Sequence, residues 1–417
     1  MNAIAPAFGC AAGGSSFAAA LDRVLSLAPN KLPPETVALA NCVGRVIAMP
    51  AIAGSDLPRF DQSAMDGYAV RCADLTPGAS LPMTGRTAAG EAACRLGPFS
   101  VHRILTGAPL PQDANAVIAQ ENVHRRGDHI EIGRVPAPGT NVRQKGEDIR
   151  AGQLLIPDGT LLDWRHIAVL AAQGIAAVSV RRQPRVTLLS SGRELRATGQ
   201  ALAPGEIHDS NLPMLMALLT ASGSMVLPMA IVADDAGAMR SALQVAAEGS
   251  DLVLTTAGIS VGDEDHVRDA LRDLGGDLPV LSVAIKPGKP LAAGRLGNAV
   301  FIGLPGNPQA ALAGAIAFVR PLLARMVGMQ DTPRLQARAA FDVRRKPGRT
   351  EFIPARLRQA EACLWAERTG PDGSGRFAPL LEASGLAVLS AQDADIRHGD
   401  ILAVIPFSPR TMTGGVL

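Results

Sequence analysis

Two lysines in the segment IKPGKP are the residues best suited to bind a charged ligand. Lys286 and Lys289 lie three positions apart, and Pro287 and Pro290 fix the backbone φ angle beside each of them. Both ammonium groups therefore project from a stiff loop. This arrangement suits a multiply charged oxyanion, and a solvated basic turn is the alternative interpretation.

A second candidate is the segment TTAGISVGDEDHV, which has the composition of an anion-binding loop. Gly258 and Gly262 would let backbone N–H groups converge, and a helix is predicted to begin at Asp263. Hydroxyl groups that could bind a phosphate are present on Thr255, Thr256 and Ser260. The alternative is an ordinary strand-to-helix loop with turn glycines and an N-cap aspartate.

The segment LPGNPQAAL has the pattern of a turn between a strand and a helix. Asn307 is a good N-cap and Pro308 suits the first helical position, so local structure explains much of the pattern. The functional alternative is a close approach of a ligand to the backbone of Pro305, Gly306 and Asn307.

Carboxylates form the remaining candidate set. They occur in polar, glycine-containing loops, as Asp61, Asp66, Glu147, Asp148, Glu194, Asp234, Asp235, Asp263, Glu264 and Asp265. Each of them can be a turn or cap residue, but together they could hold a divalent cation beside a phosphate. The sequence contains no HExxH motif, no Walker A motif and no GxGxxG motif after a predicted strand.

Many of these residues must be positioned by an alternation of strands and helices that begins at Arg185. Strands are predicted at residues 186–190, 226–232, 251–258, 280–285 and 300–304, and helices at residues 209–223, 235–248, 263–274 and 308–326. This alternation predicts a doubly wound α/β domain with a parallel sheet. Ligands of such domains bind at the carboxyl ends of the strands.

Short strands are predicted on both sides of this region. Residues 47–139 and the residues after 330 contain short apolar segments separated by glycine and proline, including a predicted hairpin at residues 124–133. Two further helices are predicted, from Ser15 or Ser16 to Ser26 and from Asp163 to Gln173. The sequence therefore combines one α/β region with β-rich regions.

Composition excludes several classes of protein. The 417 residues suffice for two to four domains, and 47% hydrophobic residues supply packed cores. The 40 basic residues are balanced by 38 acidic ones and aromatic residues make up 3%, which argues against nucleic-acid binding. Five scattered cysteines without a CxxC pair indicate free thiols in a reducing compartment. The longest apolar stretch, residues 310–319, is too short to span a membrane, so a soluble cytoplasmic protein is expected.

The ordered motifs resemble those of one family, MoeA, the molybdopterin molybdenumtransferases, which includes the E domain of gephyrin. The resemblance extends from about residue 15 to 407 and is carried by FDQSAMDGYAV, TGAPLPQDANAVI, VRQKGEDIRAG, SSGREL followed by GEIHDSN, TTAGISVGDED, IKPGKPLAAG and GLPGNP. It implies an enzyme that inserts molybdate into adenylylated molybdopterin, releases AMP and forms molybdenum cofactor. The usual divalent cation of this reaction is Mg²⁺.

The resemblance also implies roles for individual residues. Molybdate would bind to Lys286, Lys289, Arg349 and Ser384. Turnover would depend on Asp61, Thr106, Asp148, Glu194 and Asp265, and the divalent cation would bind to Asp234, Glu194 and Asp265. The cofactor and its phosphates would contact Thr256, Gly258, Ser260, Gly262, Pro305, Gly306 and Asn307.

The family fold implies four domains in an L-shaped subunit. These are a discontinuous N-terminal linker domain (residues 15–46 and 140–180), a β-rich inserted domain (47–139), a MoaB/MogA-like α/β molybdopterin-binding domain (181–330) and a C-terminal β-barrel domain (331–417). The resemblance further implies a homodimer, in which Asp61 and Asp148 of one subunit reach the cleft of the other. Molybdopterin adenylyltransferase and apo-molybdoenzymes are the expected partners, whereas nucleic acid and membranes are not.

The sequence departs from the family pattern in three places. Arg193 stands where an acidic residue is usual, and Ala257 stands where glycine is usual. In NPQAAL, the small hydroxyl or valine pattern that is usual after Asn-Pro is replaced. Two other functions are considered. The adenylylation step of the same pathway is disfavoured by the additional β domains. A non-catalytic carrier or scaffold for finished cofactor is disfavoured because this sequence keeps Lys286, Lys289 and the carboxylates of the family pattern.

Overall fold

The computed structural model describes residues 15–29, 31–257, 266–280, 282–329, 334–360, 363–371 and 373–407. Its N-terminal half contains two helices and twelve strands. In chain order these elements are α1 (Phe17–Ser26), β1 (Pro34–Ala38), β2 (Ala51–Ile52), β3 (Gln62–Ser63), β4 (Gly67–Val70), β5 (Ser80–Thr87), β6 (Val101–Ile104), β7 (Ala116–Ala119), β8 (Val123–Arg126), β9 (His129–Ile132), β10 (Val142–Arg143), β11 (Leu154–Ile156), α2 (Trp164–Ala172) and β12 (Ala177–Arg181).

Three antiparallel strand pairs join segments that are distant in sequence. β1 pairs with β12, β2 with β11 and β3 with β10. The chain therefore leaves this region and returns to it, and the residues between form a separate six-stranded sheet of order β7-β4-β6-β5-β9-β8. The predicted hairpin at residues 124–133 is confirmed as β8 and β9, which pair from Val123 with Ile132 to Arg126 with His129.

The central region is the α/β domain. Its elements are β13 (Arg185–Ser190), β14 (Leu195–Arg196), β15 (Ile207–His208), α3 (Asn211–Ala221), β16 (Met225–Pro228), α4 (Ala236–Gly249), β17 (Leu252–Thr256), α5 (His266–Asp273), β18 (Asp277–Val280), β19 (Ile285–Lys286), β20 (Ala292–Leu296), β21 (Ala299–Leu304), α6 (Pro308–Gly314) and α7 (Arg320–Met326). A π-helical turn, Ala315–Val319, joins α6 to α7, so the predicted helix at residues 308–326 is confirmed with one local irregularity.

The six-stranded sheet of this domain has the order β16-β13-β17-β21-β20-β18. The first four strands are parallel, as predicted, but β20 is antiparallel to both of its neighbours. The sequence prediction missed β20 and placed one strand at residues 280–285. The structure instead ends β18 at Val280 and pairs the short β19 with a strand of the C-terminal domain. β20 returns to β21 through a turn at Gly297, whose φ of +59° suits glycine.

The C-terminal region is a closed five-stranded β-barrel. Its elements are β22 (Leu335–Ala339), β23 (Thr350–Ala360), β24 (Cys363–Arg368), α8 (Ala378–Glu382), β25 (Gly385–Leu389) and β26 (Ile401–Pro406). The order is β23-β24-β22-β26-β25, and β25 pairs back onto β23 to close the barrel. Small buried residues such as Ala337, Ala355 and Ala387 fill its narrow interior together with Leu389 and Leu402. The predicted mixture of an α/β domain with β-rich regions is confirmed. Among the described residues, no helix is both long and apolar enough to cross a membrane.

Helix α1 packs against the α/β domain, although the sequence analysis grouped residues 15–46 with residues 140–180. Ser16 caps the helix by accepting a hydrogen bond from the backbone of Ala19. The Phe17 ring lies edge-on to Phe318 at 5.3 Å and to Phe352 at 5.4 Å between ring centroids. Because Phe352 belongs to the barrel strand β23, Phe17 ties three parts of the molecule together.

We therefore expect Phe17→Ala to destabilise this junction. Truncating a buried phenylalanine removes apolar contacts and leaves a cavity, at a cost of about 3–5 kcal/mol. The measurement is the urea midpoint of unfolding, and the control is Phe99→Ala, because the Phe99 side chain is 65% exposed. Equal midpoints for the two variants would contradict the anchoring role of Phe17.

Candidate active site

A cavity of about 500 Å³ opens between the α/β domain and the barrel. Its walls are the loop after β19, the loop after β21, strand β23 and the loop after β24. Among the described lining residues four are cationic, Lys286, Lys289, Arg349 and Arg368, and one is anionic, Glu351. The cavity therefore carries an excess of positive charge, which suits an oxyanion.

Glu351 anchors the positive charge on one side of the cavity. Its Oε2 atom lies 3.0 Å from Lys286 Nζ, and its Oε1 atom lies 3.1 Å from Arg345 Nε. The Arg345 side chain is only 2% exposed, and its guanidinium also donates hydrogen bonds to the backbone carbonyls of Arg349, Ser390 and Asp393. One buried carboxylate and one buried guanidinium thus fix Lys286 and the backbone beside Arg349.

Lys289 lies on the same cavity but has a different environment. Its side chain is exposed, and within the described part of the chain it makes no hydrogen bond or ion pair. The preceding Gly288 has a φ of +105°, and a Cβ atom there would lie 3.3 Å from Ile285 Cδ1 and 3.5 Å from the carbonyl oxygen of Ala310. The loop therefore needs glycine at this position, and it presents Lys289 with its charge available to a ligand.

The loop after β21 connects the α/β domain to the barrel. Asn307 Nδ2 donates a hydrogen bond to Ser374 Oγ at 3.1 Å, and the backbone N–H of Gln309 donates to the carbonyl of Ser374 at 2.9 Å. Pro305 and Asn307 line the cavity, as does Ser374. Ser374 was not predicted from the sequence, although its setting in the glycine-flanked segment GSG after β24 is a signal of a ligand-binding turn.

Ser384, which the resemblance implied as a molybdate ligand, makes its hydrogen bonds to strand β23. Its hydroxyl accepts a hydrogen bond from the backbone of Leu357 at 2.7 Å and lies 3.5 Å from the carbonyl oxygen of Ala355. It is absent from the described lining of the cavity, where Ser374 lies instead. The hydroxyl of Ser384 thus fastens the neighbouring strand β23.

The carboxyl edge of the parallel sheet continues from the cavity. Thr256 is buried there, and its hydroxyl lies 3.0 Å from that of Ser190. Ala257 follows with a φ of +71°, a conformation in which non-glycine residues are strained, and its Cβ would be 3.3 Å from a Cβ added at Gly306. Four predicted ligand or metal residues lie outside the described residues, namely Gly258, Ser260, Gly262 and Asp265.

Two buried polar residues under this edge were missed by the sequence analysis. Asp209 Oδ1 accepts hydrogen bonds from the backbone of Asn211 and Leu212, and Asn211 Nδ2 donates to the carbonyl of Gly306 at 2.6 Å. The second side-chain oxygen of each, Asp209 Oδ2 and Asn211 Oδ1, is buried without a hydrogen-bond partner. Buried acceptors of this kind favour a ligand that brings N–H or O–H groups.

Glu194 and Asp234 lie at the far end of the same edge. Arg193 Nε is 3.1 Å from Asp234 Oδ2, and His266 Nε2 is 3.8 Å from Asp234 Oδ1. Glu194 is exposed and curls back over Gly192. Within the described ranges no group of three or more histidine, cysteine or acidic side chains could hold a metal ion.

The predicted residues Asp61, Thr106 and Asp148 lie around the pairing of β3 with β10. Asp61 Oδ1 accepts a hydrogen bond from the backbone of Lys145 at 2.7 Å. Thr106 donates both its backbone N–H and its hydroxyl to Asp66, and these hydrogen bonds lower the pKa of the Asp66 carboxyl. Asp148 is exposed. Across the described residues, no hydrogen bond or ion pair connects this group to the cavity of the same chain.

Comparisons with known proteins agree with this architecture. Three family profiles match the chain, "MoeA N-terminal region (domain I and II)" over residues 15–174, "Probable molybdopterin binding domain" over 194–325 and "MoeA C-terminal region (domain IV)" over 336–407. A crystal structure of the molybdopterin biosynthesis MoeA protein of Pyrococcus horikoshii superimposes with a TM-score of 0.82 at 30% identity, over 95% of this chain and 99% of that one.

Curated relatives extend the comparison to sequence. The molybdopterin molybdenumtransferase of Haemophilus influenzae is 33% identical over 93% of this chain and 98% of its own length. Molybdopterin molybdenumtransferase 2 of Mycobacterium tuberculosis is 33% identical over 92% of this chain and 97% of its own length. The fold and these relatives thus define a transferase with a MoaB/MogA-like α/β domain and a C-terminal barrel. The chain belongs to the MoeA family.

Proposed function

We propose that this protein inserts molybdenum from molybdate into adenylylated molybdopterin, releasing AMP and forming molybdenum cofactor. The observation that carries the proposal is the cavity in which Lys286, Lys289 and Arg349 surround space large enough for an oxyanion. Fixed cations in a partly enclosed site hold a dianion in place without rearranging during the reaction. Molybdate would bind here, within reach of the sulfur atoms of the pterin substrate.

The phosphate-bearing part of the substrate would lie along the carboxyl edge of the sheet. The neighbouring strands β16, β13, β17 and β21 are about 4.8 Å apart, so their ends span roughly 14 Å. An elongated substrate can therefore extend from the cavity past Pro305, Gly306, Asn307 and Thr256 towards Glu194. Asp209 and Asn211 would offer their unpartnered oxygens to N–H groups of the substrate. Gly258, Ser260 and Gly262 remain proposed contacts.

The described side chains do not fit a preformed Mg²⁺ site. Two of the three expected ligands, Glu194 and Asp234, are described, and a basic side chain faces each oxygen of Asp234. A cation that prefers carboxylate oxygens and water would have to displace Arg193 first. We therefore assign no step of the reaction to Mg²⁺.

Release of AMP would depend on the residues that the resemblance ties to turnover. Of these, Glu194 lies on the sheet edge, and Asp265 lies outside the described residues. We propose that Asp61, Thr106 and Asp148 act in the cavity of a partner subunit in a homodimer. Molybdopterin adenylyltransferase would supply the adenylylated substrate, and apo-molybdoenzymes would receive the product in the cytoplasm.

Mixed dimers test the shared site. Asp61→Asn and Lys289→Ala should each lower cofactor formation by about a hundredfold or more. A tandem-purified heterodimer of the two variants nevertheless has one intact site. We expect it to show about half of the wild-type activity, since one of its two equivalent sites is complete. Activity is measured as activation of an apo-molybdoenzyme. No recovery in the heterodimer means that both residues serve the same subunit's cavity.

A further inference from the structure

Asp234 is held between two basic side chains at the end of the sheet. The Arg193 side chain is 70% exposed and the Asp234 side chain is 20% exposed, with 3.1 Å between Arg193 Nε and Asp234 Oδ2. His266 Nε2 approaches the other oxygen at 3.8 Å. Both carboxylate oxygens therefore already face a nitrogen atom.

The backbone creates this arrangement. A parallel bridge between Ser191 and Val232 places the segment 192–194 beside the segment 233–235. Gly192 has a φ of +152°, and a Cβ atom there would lie 2.7 Å from Glu194 Oε2. Glu194 thus folds over Gly192 while Arg193 extends towards Asp234. The adjacent Asp235 does not take part in this arrangement. Its carboxylate caps α4 by accepting a hydrogen bond from the backbone N–H of Ala238 at 2.8 Å.

We infer that Arg193 takes the place of a divalent cation at Asp234, so that the guanidinium and a metal ion exclude each other there. A guanidinium beside the carboxylate repels a second cation and occupies its ligand. Because the arginine side chain is mostly exposed, it can present its remaining N–H groups to a phosphate oxygen of a bound ligand. Arg193 thus determines whether Asp234 can bind a divalent cation.

The inference rests on the proposed function only for the identity of the phosphate ligand. Competition between Arg193 and a cation can be measured with no substrate present. Its outcome is therefore independent of whether the protein transfers molybdenum.

The experiment is a titration of the full-length protein with Mn²⁺, followed by the electron paramagnetic resonance signal of free Mn²⁺. Arg193→Ala should lower the Kd for Mn²⁺ about tenfold relative to the wild type, because a like charge within a few ångströms is removed. Arg240→Ala is the matched control, since Arg240 is exposed on the neighbouring helix α4 and its side chain makes no hydrogen bond or ion pair among the described residues. It should bind Mn²⁺ as the wild type does.

A second substitution connects the effect to its carboxylate. Adding Asp234→Asn to Arg193→Ala should remove the gained affinity, with circular dichroism confirming that each variant is folded. An unchanged Kd in Arg193→Ala overturns the inference. A gain that survives Asp234→Asn overturns it as well, because the cation would then bind elsewhere.

Discussion

Lys289→Ala is expected to reduce molybdenum insertion by about 10²–10³-fold, the usual loss when one fixed donor to a reacting anion is removed. Lys289 lines the cavity with an exposed side chain, and that side chain makes no hydrogen bond or ion pair within the described part of the chain. Its removal therefore breaks no structural contact. The loss should be seen in the rate of cofactor formation at saturating pterin substrate, and added molybdate should restore it only in part.

The matched control for this variant is Lys346→Ala. Lys346 is also exposed and makes no hydrogen bond or ion pair among the described residues, but it is not among the described lining residues of the cavity. It should retain wild-type activity. If both variants insert molybdenum at the normal rate, the cavity is not the molybdate site.

Arg345→Met is expected to destabilise the barrel by about 3 kcal/mol, because the buried carboxylate of Glu351 loses its buried partner and keeps only the more exposed Lys286. Glu351 is 7% exposed, and the carbonyls of Arg349, Ser390 and Asp393 would each lose the hydrogen bond from Arg345 at the same time. Activity should also fall, since Lys286 and Arg349 depend on this network for their positions.

Barrel unfolding can be followed separately from the rest of the chain. The protein has two tryptophans, and Trp365 lies in β24 of the barrel. In a Trp164→Phe background, Trp365 fluorescence alone reports the urea transition of this domain. Arg344→Met, at an exposed neighbouring position, should leave the midpoint unchanged. If Arg345→Met has the same urea midpoint as Arg344→Met, Arg345 contributes little to the stability of the barrel.

Local sequence signals were sufficient for much of this site. Lys286, Lys289, Pro305 and Asn307 were selected from short motifs, and all four line the cavity. Such motifs are readable because glycine and proline fix loop geometry within a few residues. The alternation of strands and helices predicted the α/β domain for the same reason, since the hydrophobic periodicity of each element is local.

Features that depend on distant partners could not be predicted. Glu351 lies 65 residues from Lys286, and the sequence around either residue does not predict their ion pair. The pairing of β19 with the barrel could not be predicted for the same reason, because its partner strand β23 begins far away in sequence, at Thr350. Ser384 was named from the family resemblance, and nearby sequence did not reveal that Ser374 lines the cavity. Strand β20 was missed because its sequence, AAGRL, has neither strand periodicity nor β-branched residues.

The most direct test of the central claim is AMP release from purified adenylylated molybdopterin at increasing molybdate concentration. Wild-type protein should release one AMP per pterin in a molybdate-dependent reaction, and the product should activate an apo-molybdoenzyme. The rate should saturate with molybdate as the cavity fills. Tight binding of the adenylylated substrate with no AMP at any molybdate concentration would contradict the account and favour a non-catalytic carrier.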